Sequence, residues 1–364
     1  MATTASTPAG SYTITVSGTG GGLSRNTGFS LTVNASATTG KAYYVAPTGN
    51  DSNPGTDAQP FATLNKGVSV LQPGDTLYVK NGTYVTSSVV FPSGTSWSQP
   101  VTVKAYPSHA PVLRPTAGQD TLRFQGGQKY IVIDGFVIDG TGGWNGIKIT
   151  YNGSDKTTSA HHIRIINSEI KNAPISGILV GADNFGVGNE FINLKIHHNG
   201  TTDFHHGIYM GSSNNLIERC EIYNNPFGYG IQFYSGTVDN TIVRFNKIHG
   251  NGQWGILLGS GDGMLVYNNI MWDNASGEIN NQYNGTNTKI YNNTLYASTN
   301  KPGYGIYVGS GTIGSIIKNN ISYNRTVPIS NNGTNTLLSN NLTTNPMFVN
   351  AASDFHLQAS SPAI

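Results

Sequence analysis

Apolar residues recur along most of this chain at a nearly constant interval, each within a short segment that alternates with polar residues. From Ile170 to Ile321 the interval is 22 to 26 residues, and Leu342 follows in the same pattern. The series consists of Ile170, Ile196, Ile222, Ile248, Ile270, Leu295, Ile321 and Leu342. An internal repeat of this length is typical of a solenoid, in which each coil packs only on its neighbours.

A second apolar element, which starts with glycine and isoleucine, lies in most repeats, at 146–149, 177–180, 207–210, 230–233, 255–258 and 305–308. At about 3.3 Å per strand residue, one repeat has room for three short strands and their turns, so we predict an all-β parallel β-helix. Alternation predicts inward side chains at Ile147, Ile178, Ile208, Ile231, Ile256 and Ile306. It predicts outward side chains at Lys148, Leu179, Tyr209, Gln232, Leu257, Asn280 and Tyr307.

Asparagine recurs at fixed places in these repeats. Two residues before the apolar series stand Asn246, Asn268, Asn293, Asn319 and Asn340, with Cys220 in that place one repeat earlier. A second column contains Asn199, Asn225, Asn251 and Asn324. Asparagine tolerates the left-handed backbone of a tight bend, and stacked amides can bond to one another. We therefore interpret both columns as structural and predict that Asn268 and Asn293 are buried.

The first 75 residues differ from the repeats. Phe61, Leu64, Val68 and Leu71 have helical spacing, which predicts one short helix ended by Pro73 and Gly74. We expect it to cap the open end of the solenoid. Within residues 1–40, two alternating segments at 12–16 and 29–33 predict a hairpin, and this region resembles the closing strands of a bacterial immunoglobulin-like module. We expect residues 1–40 to be a remnant and linker, and residues 41–364 to be the β-helix domain.

Composition excludes several classes of protein. Only 10% of residues are charged and the net charge is +2, with both signs dispersed, so a nucleic-acid partner is not expected. Cys220 is the only cysteine, which leaves no intrachain disulfide. No apolar run reaches the roughly 18 residues of a membrane span. The N-terminal residues lack the features of a signal peptide, and we expect a secreted monomer whose export signal has been trimmed.

From Lys41 to the C-terminus, the sequence resembles the pectate-lyase-like superfamily of right-handed parallel β-helix proteins, and more closely its bacterial repeat-containing members. The resemblance rests on the capping segment that ends Pro73-Gly-Asp-Thr76, on the asparagine-marked repeats and on the closing segment 345–364. It implies a carbohydrate-active protein among lyases, hydrolases, epimerases and phage tailspikes, since the fold alone does not select a reaction. It also implies that substrate lies along the Gly-Ile strands.

The densest polar cluster along those strands is 203–209, with Gln232 and Tyr234 one repeat later. β-Elimination on a uronic acid needs a base for the C5 proton, a group that neutralises the carboxylate and an acid for the departing oxygen. Histidine, which titrates near neutral pH, suits the base. We predict the catalytic residues to be His206, as the base, with His205, Tyr209 and Asp203. We predict the substrate-binding residues to be Lys148, Gln232, Tyr234, Tyr229, Trp254 and Tyr307.

Two alternative functions and one candidate cofactor remain open. A glycoside hydrolase needs two carboxyl groups beside the bond, but Asp203 has no evident partner and Glu218 and Glu221 lie on another strand. A non-catalytic binding module would use the tyrosine and tryptophan rings to stack on sugars. Calcium could be held by Asp134 and Asp139 or by the loop 50–56, although such sequences more often form turns.

Overall fold

The computed structural model describes residues 10–20, 23–33, 40–86, 89–181, 185–234, 238–351 and 354–364. From Ala42 onward the chain coils around one continuous hydrophobic core, and successive coils add parallel strands to the ones before. The predicted all-β parallel β-helix is therefore confirmed.

Each coil contributes strands to up to three series. The first series is a sheet of twelve strands: Ala42–Val45, Thr76–Val79, Val101–Ala105, Lys129–Asp134, His161–Ile166, Glu190–Ile192, Leu216–Glu218, Ile242–Arg244, Leu265–Tyr267, Lys289–Tyr291, Ile316–Lys318 and Leu337–Ser339. The second series comprises Thr83–Val85, Val112–Arg114, Val137–Asp139, Glu169–Lys171, Lys195–His197, Glu221–Tyr223, Lys247–His249 and Ile270–Trp272.

The third series contains the Gly-Ile strands. It comprises Leu122–Phe124, Ile147–Ile149, Ile178–Val180, Ile208–Met210, Ile231–Phe233, Trp254–Leu258 and Gly277–Asn281. Two long strands, Thr294–Val308 and Ile321–Asn331, run through both the second and the third series and join them into one sheet of seventeen strands. All six isoleucines predicted to face inward are fully buried.

The N-terminal end of the solenoid is closed by the α-helix Leu64–Ser69, as predicted. Thr63 caps its N-terminus, where the threonine hydroxyl accepts the backbone N–H of Lys66 at 3.2 Å. A Cβ on Gly67 would lie 2.6 Å from a methyl group of Val45 and 2.9 Å from one of Leu77. The helix thus packs directly on the core of the first two coils.

Smaller elements lie outside the three series. A 3-10 helix spans Lys156–Thr158, and the strands Phe348–Asn350 and Asp354–Leu357 pair antiparallel near the C-terminus. At the other end, Gly10–Gly20 and Leu23–Val33 form the predicted antiparallel hairpin. Residues 1–9 and 34–39, which belong to the predicted remnant and linker, lie outside the described residues.

A buried ladder of asparagine amides runs between the first and second series. Asn246 donates its amide to Asn269 at 2.9 Å, Asn269 to Asn293 at 3.0 Å, Asn293 to Asn320 at 3.0 Å and Asn320 to Asn341 at 2.9 Å. One coil earlier, the backbone N–H of Cys220 donates to Asn246 at 2.8 Å. Each amide satisfies a donor that would be costly to bury unpaired.

The prediction for this ladder was wrong by one residue at Asn268, Asn319 and Asn340. These residues have φ angles of 56°, 57° and 52°, so they take the left-handed bend position and their neighbours form the ladder. The error arose because residues 268–271 are two adjacent asparagines followed by two adjacent apolar residues, so the sequence fits two registers. Backbone pairing aligns Met271, and not Ile270, with the inward Ile248.

A second ladder joins Asn199, Asn225, Asn251 and Asn274 through amide hydrogen bonds of 2.8 to 3.1 Å. Asn324 was predicted to belong to this column but has a φ of 68° and instead donates to a backbone carbonyl outside the ladder. A third, shorter ladder, which the sequence pattern did not reveal, passes from Asn189 through Asn215 to the hydroxyl of Thr241.

The second ladder ends at a buried ion pair. Glu278 and Arg325 are 0% and 3% exposed, and the Arg325 Nε donates to the Glu278 carboxylate at 3.1 Å. Glu278 stands in a column where the neighbouring coils have glycine, since it is in register between Gly255 and Gly305. Burial raises the pKa of Glu278 to about 7, against the opposing effect of the Arg325 guanidinium.

We predict that Asn293→Leu lowers the free energy of unfolding by about 1–3 kcal/mol, because it removes the acceptor of the buried backbone N–H of Asn269, which lies 3.1 Å from Asn293 Oδ1. The matched control is Asn292→Gly, one residue earlier, where a φ of 56° suits glycine. Urea unfolding followed by circular dichroism measures both. A larger loss for Asn292→Gly than for Asn293→Leu would contradict the assigned ladder.

Candidate functional site

The outward side chains of the third series form one continuous row, which we call the outward column. Its members, in register from coil to coil, are Arg123, Lys148, Leu179, Tyr209, Gln232, Leu257, Asn280, Tyr307 and Ser330. Seven of them were predicted to face outward; the register aligns all seven, and five are partly exposed while Leu257 and Asn280 are buried. The column has two cations at its N-terminal end and no charged side chain from Leu179 to Ser330.

The two cations differ in how they are held. Arg123 is fixed by Asp120, whose carboxylate accepts from Nη1 at 2.9 Å, and by Gln125, which accepts from Nε at 2.7 Å. Lys148 lies one coil away and forms no ion pair with any residue that the structure describes. A cavity of about 330 Å³ opens beside Arg123. This end of the column therefore presents an available ammonium group beside a fixed guanidinium.

Aromatic side chains border the outward column on both sides. On the side from which the third-series strands start, Phe204 is 79% exposed and Phe227 is 50% exposed, and Trp144 is also exposed. On the side where these strands end, Tyr234 and Tyr283 are exposed, with ring centroids 5.5 Å apart. Exposed rings on both rims are typical of surfaces that bind sugar rings by their apolar faces.

His206, the predicted base, lies beneath this surface and is only 2% exposed. Its Nδ1 accepts the backbone N–H of Tyr229 at 3.1 Å, and the ring also bonds to the Gln232 side chain. Because Nδ1 accepts and the Gln232 contact favours the protonated ring, we infer that Nε2 carries the proton and donates it to the Gln232 carbonyl oxygen. Burial lowers the pKa of His206 from its usual 6.5 to about 4. Both nitrogens are thus occupied, which favours a positioning role over that of a base in contact with substrate.

His205 is more accessible, being only partly buried. Its Nδ1 lies 3.3 Å from both the backbone N–H and the hydroxyl of Thr201. The Thr201 hydroxyl donates its own proton to the carbonyl of Pro174 at 3.0 Å, so its oxygen is free to accept from Nδ1. The Thr201 backbone N–H can only donate, so in this arrangement Nδ1 accepts and the proton of a neutral His205 lies on Nε2. To free the Nε2 lone pair that a general base requires, Nδ1 must exchange this contact for one in which it donates to the Thr201 hydroxyl.

The other residues of the predicted cluster surround these histidines. The Tyr209 hydroxyl donates to the backbone carbonyl of Tyr234 at 3.0 Å, and burial raises its pKa, so it keeps its proton at neutral pH. The Tyr229 ring packs 5.1 Å from that of His206. Asp203 is exposed on the rim. The structure thus brings the predicted catalytic residues and Gln232 together within two coils.

Three further predicted binding residues, Lys148, Trp254 and Tyr307, lie away from this cluster. Lys148 is two coils from Tyr209, about 10 Å at the usual strand spacing. In the other direction, Trp254 and Tyr307 lie in an aromatic group with Tyr304 at the uncharged end of the column. The predicted site is therefore extended along the solenoid.

The aspartates considered as calcium ligands have other partners. Asp134 accepts from the Asn167 amide at 2.8 Å, and Asp139 pairs with Arg114 at 2.7 Å. In the loop 50–56, Asp51 accepts two backbone N–H groups at the start of the helix. Within the part of the chain that the structure describes, no three histidine, cysteine or acidic side chains are grouped to hold a metal ion. These residues do not fit a calcium site.

The carboxylates considered for hydrolysis are also placed elsewhere. Glu218 lies on the first series, is 5% exposed and forms ion pairs with Arg219 and Arg244. Glu221 lies on the second series, 3.4 Å from His249. The outward column itself contains no carboxylate, so it lacks the pair of acids that glycoside hydrolysis uses.

Sequence reasoning missed Arg123, Thr201 and the unusual state of Asn280. Arg123 lies in a third-series strand without the Gly-Ile signature, although the alternation of Leu122 and Phe124 around it was a usable signal. The contact of Thr201 with His205 depends on a loop, which no period describes. Asn280 was predicted to face outward, but nothing in the sequence indicated that it is 5% exposed.

Comparison with protein families gives two matches. A model described as Pel9A-like, right handed beta helix region, matches residues 43–226, and a second, right handed beta helix region, matches residues 176–345. The chain belongs to the Pel9A-like right-handed β-helix family. Membership confirms both the handedness of the predicted coil and the predicted superfamily.

Individual known proteins resemble the chain in sequence or in fold. The chain is 22% identical over 334 residues to pectate lyase L of Dickeya dadantii (strain 3937), which covers 80% of this chain and 73% of that relative. The pectate lyase Pel9A crystal structure aligns with a TM-score of 0.71 and 18% identity, over 89% of this chain and 91% of the other. A rhamnogalacturonan lyase aligns with a TM-score of 0.54 and 18% identity, over 85% and 91%.

Among the described residues, no helix of this Pel9A-like chain is both long and apolar enough to cross a membrane.

We predict that His206 makes stability depend on pH. His206 binds a proton near pH 6.5 in the unfolded state but only near pH 4 in the folded state. Its contribution to the free energy of unfolding is therefore fully present above pH 6.5 and is lost as the pH falls to 4. The loss amounts to about 3 kcal/mol. His206→Gln removes the titration, while the raised pKa of Glu278 affects both proteins alike. Urea unfolding at several pH values measures the difference between them, and parallel curves would contradict the burial of a neutral His206.

Proposed function

We propose that this protein is a polysaccharide lyase that cleaves a uronic-acid-containing polysaccharide by β-elimination along the outward column. The observation that carries the proposal is the distribution of charge on that column, which has Lys148, unpaired among the described residues, next to Arg123, the partner of Asp120, and no carboxylate among its own members. Such a surface attracts an anionic polymer and lacks the acids of a hydrolase. Similarity to pectate lyase L supports the same class of reaction.

The proposed reaction centre lies at the coil of Tyr209. A base takes the C5 proton of a uronate residue, the C4–C5 double bond forms, and the bond from C4 to the glycosidic oxygen breaks. We assign the base to His205, because it is the more accessible imidazole of the cluster; to act through Nε2, its Nδ1 exchanges the 3.3 Å contact with the Thr201 N–H for one in which it donates to the Thr201 hydroxyl. Tyr209, which keeps its proton at neutral pH, then protonates the departing oxygen.

The uronate carboxylate needs a hydrogen-bond donor at the same coil, because its field opposes removal of the C5 proton. Gln232 is in register with Tyr209 and supplies its amide NH2 group. Since His206 donates to the Gln232 carbonyl oxygen, the NH2 group is directed to the other side. His206 is thereby a positioning residue, buried where it fixes the orientation of Gln232.

Lys148 binds the carboxylate of a neighbouring sugar, since it lies two coils from Tyr209. Asp203, Tyr234 and Tyr229 complete the rim of the reaction centre. Because polysaccharide substrates are extracellular polymers, we propose that the protein acts after secretion, and as a monomer. A non-catalytic binding module is the second candidate, favoured by the exposure of Phe204 and Phe227.

We predict that His205→Ala lowers kcat by roughly 10²–10⁴-fold, the usual contribution of a general base. His356→Ala, at an 89% exposed imidazole near the C-terminus, is the matched control and keeps full activity. The assay follows near-ultraviolet absorbance of the unsaturated product on pectate, alginate and mixed uronate polysaccharides. Thermal melts confirm that both variants fold.

Three results would separate the alternatives. New reducing ends without unsaturated product would indicate a hydrolase, and retention without cleavage would indicate a binding module. Full activity in both His205→Ala and Tyr209→Phe would overturn the assigned reaction centre. Loss of activity in His206→Ala with normal activity in His205→Ala would return the role of base to His206.

We predict that Lys148→Ala raises KM with little change in kcat, because the ammonium group contacts a neighbouring sugar in both the bound and the transition state. Lys289→Ala, an exposed lysine on the first series, is the matched control. Steady-state kinetics at two salt concentrations measures the effect. A fall in kcat with unchanged KM would instead place Lys148 in the reaction centre.

A further inference from the structure

We infer that the substrate contains neutral sugars as well as uronates, and that a neutral sugar binds at the uncharged end of the outward column. The site consists of Trp254, Tyr304, Tyr307 and Asn280, which we call the aromatic subsite. The inference rests on the proposed function, since it takes the outward column as the path of the polysaccharide. It goes beyond the proposed function by naming the chemical class of the substrate and a second site at which the protein binds it.

The rings of the aromatic subsite are organised around a glycine. Trp254, Gly277 and Tyr304 are in register on successive strands, so the two rings stand on either side of a residue without a side chain. Their planes are 13° apart and their centroids are 5.8 Å apart. A Cβ on Gly277 would lie 2.5 Å from Cζ3 of Trp254. Glycine at this position therefore permits the rings to approach.

Tyr307 extends the ring surface onto the outward column. Its centroid lies 5.2 Å from that of Tyr304, at an angle of 61°, and 6.4 Å from that of Trp254. All three side chains are only partly buried, so ring surface remains in contact with solvent. A pyranose presents apolar C–H groups on one face, and these pack favourably on aromatic rings.

Asn280 supplies an independent indication of a polar ligand. It lies on the outward column between Leu257 and Tyr307, is 5% exposed, and its Oδ1 has no hydrogen-bond partner in the described structure. A buried acceptor without a donor costs about 1–3 kcal/mol, so such groups are normally paired. A sugar hydroxyl that enters beside the rings provides the missing donor.

The charges along the column decide which sugar binds. Between Leu179 and Ser330 the column has no cation, so a carboxylate at Asn280 would lose water without gaining a partner. Lys148 lies five coils away, about 24 Å at the usual strand spacing. One polysaccharide chain can therefore place a uronate at Lys148 and, several sugar residues further along, a neutral sugar at the aromatic subsite.

The experiment compares binding of two probes of equal length by isothermal titration calorimetry: an oligogalacturonide, and an oligosaccharide in which galacturonate alternates with rhamnose. We expect the mixed probe to bind more tightly. Trp254→Ala weakens the mixed probe at least tenfold and leaves the oligogalacturonide almost unchanged. Trp272→Ala, a tryptophan of the second series, is the matched control and changes neither.

Asn280→Ala is a second variant that keeps the rings, and it weakens the mixed probe by roughly fivefold or more. Equal or tighter binding of the oligogalacturonide, or equal loss of both probes in Trp254→Ala, would overturn the inference. Binding requires no turnover, so the two proposals fail separately. If no unsaturated product forms but the mixed probe still depends on Trp254, the lyase assignment fails and the aromatic subsite stands.

Discussion

The structure depends on pairing the polar groups at the bends inside a narrow coil. Parallel strands satisfy the backbone of the flat sides, but each bend between strands leaves donors without partners. The amides of Asn246, Asn269 and Asn293 supply acceptors in line with the strands, so the bends continue the hydrogen bonding of the sheets. The same spacing then fixes the outward residues in straight columns.

This regular spacing separates stability from function. Inward residues such as Ile208 and Ile231 are mostly apolar, and the ladders consist mainly of asparagine amides. Outward residues on the same strands, including Tyr209 and Gln232, are free to vary without disturbing either. A surface with a cationic end and an aromatic end can therefore arise on a scaffold whose interior hardly changes from coil to coil.

The sequence was sufficient for the fold because periodicity records which side chains face inward. The helix at Leu64–Ser69, the inward isoleucines and the outward column all followed from it. It failed at Asn268, where adjacent asparagines and adjacent apolar residues allow two registers, and only the backbone pairing of Met271 separates them. The candidate cluster could be located, but the difference between His205 and His206 depends on burial, which two adjacent histidines do not reveal.

The ion pair of Glu278 and Arg325 has a consequence for how the coils align during folding. Coils that resemble one another can in principle stack out of step, since a shifted strand still meets isoleucine, glycine and asparagine. A carboxylate in the glycine column is different, because it is compatible with the core only when one guanidinium, two strands further on, reaches it. Any misaligned stack would bury an unpaired charge at a cost of several kcal/mol. This ion pair therefore permits only one alignment of coils that are otherwise interchangeable.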